Sequence, residues 1–291
     1  MQPVVCVMEL IKGREVVAAL NKRLTEEVEQ LTAAGKRPPK LAILRVGEQP
    51  DQISYERGAG KRMDKIGISH QEYVYPGDID QERFYQEFDR INADPEIDGI
   101  LLLRPLPAHL KEKELERRID PAKDMDGISP MNQAKVMAGE ADGFAPCTPE
   151  AVLELLDYAG IELSGKRVTV VGRSMVVGKP LALLLLNRHA TATVCHTRTK
   201  DLAAECQRAE ILIAAAGKAK LLTAEHVGEQ AVVVDVGINV AEDGTLCGDV
   251  DFASVETAGK AAAITPVPGG VGTVTTSVLA KHVLEARLRN S

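Results

Sequence analysis

The sequence predicts an α/β protein of two domains: an N-terminal parallel α/β domain and a Rossmann-like dinucleotide-binding domain. Three observations carry that reading. Helix-spaced and strand-like segments alternate twice along the 291 residues, a length that suits domains of roughly 100–200 residues each. A segment dense in turn formers, 120–147, separates the two alternations. In the second, a glycine turn from Gly172 to Gly178 joins a strand to an apolar helix, the order in which dinucleotide loops occur.

Taken in order, residues 13–34 place apolar side chains at helical spacing, and Gly35 with Pro38 and Pro39 ends that helix. A strand is expected at Lys40–Val46. A helical stretch from about Asp51 to Ile66 follows, broken up by Gly58 and Gly60. Ser69–Tyr75 reads as a strand, Gln81–Asn92 as a helix, and Gly99–Leu103 as a buried strand ending at a Pro-Leu-Pro turn. The order α, β, α, β, α, β predicts a parallel layer with helical crossovers. After the junction, Thr148–Ala159 reads as a helix with Thr148 as N-cap and Pro149 at the first helical position. Strands are then expected at Arg167–Val171, Thr191–His196, Ile211–Ala214, Val232–Val236 and Ala262–Ile264, with a last helix at Thr275–Leu288 that returns to the first domain. The expected limits are 1–140 for the first domain, completed by 274–291, and 141–273 for the second.

Composition narrows the function classes. With 45% hydrophobic and 26% charged residues the chain can build ordinary cores. A net charge of −7 argues against a general nucleic-acid binder, and the absence of Trp with only 4 Phe and 5 Tyr leaves few platforms for stacking bases. The core must therefore be aliphatic. Cys6, Cys147, Cys195, Cys206 and Cys247 are scattered without CxxC spacing and read as reduced, mostly buried thiols rather than metal ligands. No signal-peptide pattern or membrane-length apolar run is present, so a cytoplasmic protein that binds neither membrane nor nucleic acid is expected. His70, His189 and His196 are isolated. Asp249 and Asp251 suit turns and helix caps, and Asp120, Asp124 and Asp126 lack the spacing of a calcium loop. No metal is expected.

The glycine turn departs from the usual GxGxxG fingerprint, because Ser174 and Val177 stand where the second and third glycines belong. By spacing alone it fits a plain βα turn nearly as well. The end of the next strand is more informative: Val194-Cys-His-Thr-Arg-Thr199 carries no acid for a ribose 2′-hydroxyl. Arg173, Thr197 and Arg198 can instead converge on a 2′-phosphate, which points to NADP rather than NAD. Lys179 reads as a solvated surface charge.

Several long motifs, KRVTVVGRSMVVGKPLALLLL, ATVCHTRT, VVVDVGIN, CGDVDF and ITPVPGGVG, with PAKDMDG and PCTP upstream, closely resemble the methylenetetrahydrofolate dehydrogenase/cyclohydrolase family. The resemblance also takes in GREVVAAL and GILLLRPLPAHL and so covers essentially the whole chain. It implies a homodimer in which a folate-binding catalytic domain and an NADP-binding domain enclose the substrate between them. It implies hydride transfer from 5,10-methylenetetrahydrofolate to NADP, then addition of water to the methenyl product to give 10-formyltetrahydrofolate. By motif match, Gly172, Arg173, Ser174 and Gly178 with Thr197 and Arg198 bind the cofactor, and Ile238 lines its nicotinamide side. Tyr55, Asp126, Pro268, Gly269 and Gly270 contact the folate, Asp126 receiving the pterin's adjacent N–H donors.

The chain departs from the family where hydrolysis is concerned. The family places a Lys four residues after the catalytic Tyr, one helical turn on. Here Tyr55 is kept and Ala59 stands at the Lys position. The family's Gln before Leu-Pro-Leu-Pro is Leu103, and the Leu after it is Arg104. Its Pro-Met-Thr after the glycine turn is Thr273-Val-Thr275. Lys61 lies about 200° further round the helix than Ala59 and reaches the same place only if the helix breaks at its glycines. Positioning for hydride transfer survives these changes, whereas proton handling for hydrolysis does not. The expectation is an NADP-dependent dehydrogenase with weak or absent cyclohydrolase activity. The alternatives are a full bifunctional enzyme working through an altered site, and a non-catalytic folate or NADP binder.

Overall fold

The computed structural model describes residues 8–241 and 243–289; Cys6 lies outside them. The chain divides into two compact units, one of Met1–Val17 with Thr148–Thr275 and one of Ala18–Cys147 with Thr276–Ser291. The elements in chain order begin with strand β1 (Glu9–Leu10), helix α1 (Gly13–Ala33) and strand β2 (Lys40–Val46). They continue through α2 (Pro50–Ile66), β3 (Ser69–Tyr75), α3 (Gln81–Ala93), β4 (Gly99–Leu102), α4 (Glu112–Arg118) and α5 (Pro130–Ala138).

The unit of Ala18–Cys147 and the last helix is built on a parallel sheet of order β3-β2-β4. A parallel bridge from Ile100 to Asp124 adds residues 123–125 beside β4, with Ile100 N–H donating to the Lys123 carbonyl at 2.7 Å. Strand β4 is an apolar run, and β2 is one apart from Lys40 and Arg45; neither alternates, and both are buried almost throughout, as covered parallel strands require. Helix α3 is capped by Asp80, which accepts the N–H groups of Glu82 and Arg83, and it packs Phe84 and Phe88 into the core with Leu44, Val46 and Ile100.

Two features here differ from the sequence reading. Helix α2 is unbroken through Gly58 and Gly60. A Cβ at Gly60 would come within 2.8 Å of His70 Nε2, so this glycine serves close approach of α2 to β3. The segment 120–147 also contains α5, which begins at the Ser129 N-cap with Pro130 behind it and ends at Gly139 in the left-handed conformation. That start and stop signal is present in the sequence within the turn-rich stretch.

The remaining elements are α6 (Cys147–Tyr158), β5 (Arg167–Val171), α7 (Gly178–Asn187), β6 (Thr191–Cys195), α8 (Leu202–Gln207), β7 (Ile211–Ala214) and β8 (Val232–Asp235). The short strands β9 (Asn239–Val240) and β10 (Leu246–Cys247) form an antiparallel pair, followed by α9 (Phe252–Ala258), β11 (Ala263–Ile264) and α10 (Thr275–Arg289). Six parallel strands form one sheet in the order β1-β11-β8-β7-β5-β6. Strand β1 thus belongs to this sheet, and 8–17 group with the second half of the chain instead of the first. The reason is backbone pairing: Glu9 and Ile11 donate N–H to Ala262 and Ile264 at 2.9 Å. Helix α6 starts at Cys147, so Thr148 lies in its first turn rather than at its N-cap. Cys147, Cys195 and Cys206 are buried, Cys247 is half-buried, and none of these is in a disulfide. No helix among the described residues is long and apolar enough to cross a membrane.

Candidate functional site

In the six-stranded sheet the chain runs from β5 outward to β6 and then returns across to β7 on the other side. The carboxyl ends of β5 and β7 therefore form the switch point at which open α/β sheets take ligands. The loop after β5 is tightly bent there. Gly172 has φ +137°, and a Cβ on it would collide with the Ala215 carbonyl after β7. A Cβ on Gly178 would collide with the Gly172 carbonyl. Both glycines are needed for backbone to approach backbone, and together they bring the amino end of α7 over the loop. Ser174 Oγ accepts the N–H groups of Val177 at 3.1 Å and Gly178 at 3.4 Å. Arg173 and Ser174 are exposed, as are Thr197 and Arg198 in the turn after β6. Lys179 is exposed as well.

Two acids tie down the neighbouring loops, Asp249 in the turn role expected of it and Asp235 in one the sequence did not reveal. Asp249 Oδ2 accepts the N–H groups of Ala216 at 2.6 Å and Gly217 at 2.9 Å, while Oδ1 accepts Lys218 N–H at 2.8 Å and Asn239 Nδ2 at 2.9 Å. Asp235 accepts the N–H groups of Gly237, Asp249 and Val250 at 2.9–3.0 Å. Burial pushes the Asp235 carboxyl up to about 6, against those three donors. Ile238 projects from the turn so held and is 66% exposed. Asp251 caps α9 through Ser254 N–H. The only sequence signal for this arrangement is an acid beside glycine at a strand end, Asp235-Val-Gly237 and Gly248-Asp249. The same unit carries Pro268, Gly269 and Gly270 in a turn with a cis Val267–Pro268 bond, and Gly269 O accepts Gly13 N–H at 2.8 Å. A separate cavity of about 440 Å³, lined by Lys166, Arg167, Gln207 and Glu210 among others, opens at the opposite, amino-terminal ends of the strands.

The other unit holds Tyr55 and Asp126. Tyr55 is half-buried on α2, whose Gln52, Glu56, Ala59, Gly60, Met63 and Ile66 face inward. Ala59 is fully buried and Leu103 is 5% exposed, its N–H continuing the ladder to Leu44 O at 2.9 Å. Lys61 is exposed on the unbroken helix, so the helix break that would bring it to the position of Ala59 does not occur. Gln52 Nε2 donates to Pro105 O at 2.9 Å, joining α2 to the turn after β4.

Asp126 is held where residues 123–126 run beside β4. Its Oδ1 accepts Cys147 N–H at 3.0 Å, and its Oδ2 lies 3.7 Å from Arg104 Nη2. The Met125 carbonyl alongside accepts His282 Nδ1 at 2.8 Å and Cys147 Sγ at 3.3 Å. Burial raises the Asp126 carboxyl above the usual range, while the Cys147 N–H and the Arg104 guanidinium oppose that rise.

Comparison with known proteins settles the relationship. Residues 146–291 match the model for the NAD(P)-binding domain of tetrahydrofolate dehydrogenase/cyclohydrolase, and 11–126 match the model for its catalytic domain. The chain belongs to the tetrahydrofolate dehydrogenase/cyclohydrolase family. It is 50% identical to the bifunctional protein FolD of Clostridioides difficile over 97% of this chain and 98% of that one. It is 49% identical to the FolD of Clostridium kluyveri over 95% and 96%. Among solved structures, the bifunctional FolD of Campylobacter jejuni superposes with a TM-score of 0.94 at 37% identity, covering 98% and 100% of the two chains. The Trypanosoma brucei FolD, solved with NADP and an inhibitor, gives 0.91 at 36% over 97% and 98%. Members of this family are enzymes built from a catalytic and an NAD(P)-binding domain. Among the described residues, no group of three or more His, Cys, Asp or Glu side chains is arranged to hold a metal ion.

Proposed function

We propose that this protein is an NADP-dependent methylenetetrahydrofolate dehydrogenase whose cyclohydrolase activity is weak or absent, acting on tetrahydrofolate derivatives as a cytoplasmic homodimer. The observation that carries the reading is the state of α2 and β4. Ala59 and Leu103 are buried and apolar where the family pattern has Lys and Gln, and Lys61 stays on the solvent side of an unbroken helix.

The loop after β5 fits NADP. Its glycines leave no room for side chains between backbone segments, the α7 amino end faces the loop, and Arg173, Thr197 and Arg198 are free to meet a 2′-phosphate. NADP, when bound, accepts the hydride from the methylene carbon. The chain's part in that step is positioning: in one unit Ile238, on the turn held by Asp235, flanks the nicotinamide, and in the other Asp126 and Tyr55 hold the folate. Hydrolysis of the cationic product further requires activated water and proton transfer. Ala59 and Leu103 offer no proton carrier, and a phenol is by itself a poor base at neutral pH. Loss of a positioned acid–base group costs about 10²–10⁴-fold.

The name "bifunctional" on relatives at 49–50% identity favours the second reading, in which hydrolysis persists through the altered site. Family membership speaks against a non-catalytic binder. The two reactions, measured separately on purified protein, decide between these readings. NADPH formation from methylenetetrahydrofolate with methenyl hydrolysis near the uncatalysed rate is expected. Efficient hydrolysis would overturn the proposal, and its loss in Lys61→Ala would identify Lys61 as the substitute.

A further inference from the structure

Arg104 follows Leu103 directly and stands where the family pattern has leucine. Its side chain is 21% exposed, and its guanidinium is shared among three carboxylates. Nη1 lies 3.2 Å from Glu112 Oε1 and 3.9 Å from Glu116 Oε1, both on α4, and Nη2 lies 3.7 Å from Asp126 Oδ2. Glu112 Oε2 also accepts Leu106 N–H at 3.5 Å, which ties α4 to the same turn. The bridge from Ile100 to Asp124 lays residues 123–126 along β4, so the turn leaving β4 meets Asp126. Arg104 is therefore no loose surface charge. Two glutamates orient it, and its free edge faces the one carboxylate of the three that lies off α4.

We propose that Arg104 is a positioning residue for the substrate. Held by Glu112 and Glu116, its guanidinium lies 3.7 Å from Asp126 Oδ2 and orients that carboxyl group toward a ligand that presents adjacent N–H donors. The proposal rests on the reading above that Asp126 receives the pterin. The chain lacks a lysine at 59 and gains a fixed cation at 104, delivered to the site by the turn after β4 instead of by α2. Only the ionised carboxylate offers acceptors alone; a protonated one would set a donor against the pterin's donors. The groups around Asp126 pull both ways. Burial and the charge of Asp124 favour the proton, while the Cys147 N–H and Arg104 favour its loss. The oxygens of Asp124 are already engaged by the N–H groups of Ile128 and Ser129 and by Asn132 Nδ2. From α10, His282 meets the adjacent Met125 carbonyl.

The test is calorimetric titration of the full-length protein with tetrahydrofolate at about pH 6 and about pH 8, together with kcat and KM for methylenetetrahydrofolate and NADP. In Arg104→Leu the Asp126 carboxyl gains a proton more readily. Binding should weaken ~10-fold more at the lower pH than at the higher, from the loss of one opposite charge within reach, with kcat at saturation near pH 8 little changed. Arg104→Lys should keep most of the wild-type profile, and Arg104→Gln should follow the leucine variant and replace it if that variant does not fold. Equal weakening at both pH values, or none, overturns the proposal and leaves Arg104 a structural tie. Asp126→Asn separates the underlying reading: if that variant binds tetrahydrofolate like wild type, Asp126 does not receive the pterin, whatever Arg104 does.

Discussion

Arg45 on β2 and Glu56 on α2 form a buried ion pair, Nε to Oε2 at 2.9 Å, with each side chain only 9% exposed. Arg45 Nη1 also donates to the Gly47 carbonyl, so one guanidinium ties the strand end, the turn and the helix together. Glu56 follows Tyr55 directly, and the pair sets the rotation of the helix that presents the tyrosine. Removing one partner strands the other charge in the core. Glu56→Ala should cost about 3–5 kcal/mol of unfolding free energy in urea. Replacing both, Arg45→Met with Glu56→Leu, should recover most of that loss. A single variant as stable as wild type would show that the pair contributes nothing.

Restoring the family's residues tests the site from the other side. Position 59 has no solvent exposure and Leu103 has 5%, so Ala59→Lys alone forces an ammonium into an apolar environment without the glutamine that accompanies it in the family. The single variant should lose about 2–4 kcal/mol of stability. Adding Leu103→Gln should return part of it, giving a coupling of about 1 kcal/mol or more. Methenyl hydrolysis should rise above background only in the double variant. Strict additivity in stability, or hydrolysis recovered by Ala59→Lys alone, would show that the two replacements are independent.

Asp235 makes the NADP-binding unit sensitive to pH in a definite direction. Its carboxyl, ordinarily near 3.8, is raised to about 6 by burial, so between those values the folded state holds the proton more tightly than the unfolded chain does. Stability contributed at this residue is therefore greatest below about 4, falls as pH rises toward 6, and stays at its lower level above that. The difference is ~3 kcal/mol at 1.36 kcal/mol per pH unit. Asp235→Asn removes this dependence, although its amide must face one of the three N–H donors. The stability gap between wild type and variant should thus narrow as pH rises from about 4 to about 7. Denaturant titrations across that range measure it; a constant gap would show that Asp235 stays ionised in the fold.

How much of this was legible beforehand depends on the range of the interaction. Strands β2, β5 and β7 carry apolar or β-branched runs bounded by Gly, Pro or polar residues, β3 ends in Tyr-Val-Tyr before Pro76, and the limits of all four coincide with the expected ones. Helix α4 was overlooked because Glu112–Arg118 is almost wholly charged and buries only Leu115. Strand β1 was overlooked because its two residues pair with β11, on the far side of the chain's length. The glycines of α2 read locally as breakers, yet at Gly60 the reason is a neighbour, His70, that no local pattern names. At the site, Ala59 and Leu103 are legible against the family pattern because motif positions are local. The fit of Arg104 to Asp126 is not, because it depends on the bridge that brings 124 beside β4.

On the proposed reading, cofactor choice rests on the turn after β6. No acid occurs from Val194 to Thr199, and the next one, Asp201, is committed as the α8 N-cap, accepting Ala204 N–H at 3.2 Å. The turn itself is well held: His196 N–H donates to Thr199 Oγ1 at 2.8 Å and Arg198 N–H to His196 Nδ1 at 3.1 Å. The Arg198 guanidinium is therefore carried on a fixed backbone while its side chain remains exposed. A charge-assisted bond to a phosphate dianion contributes about 1.5–3 kcal/mol, so Arg198→Ser should weaken NADP ~10–100-fold. NAD, which has no phosphate at that place, should change by less than about threefold. Raising the salt concentration should weaken NADP binding to wild type more than to the variant, because screening acts on the charge that has been removed. Calorimetric titration with each dinucleotide reads all three effects. Equal losses for NADP and NAD would mean that Arg198 supports the loop as a whole, and the preference for NADP would then have to come from Arg173.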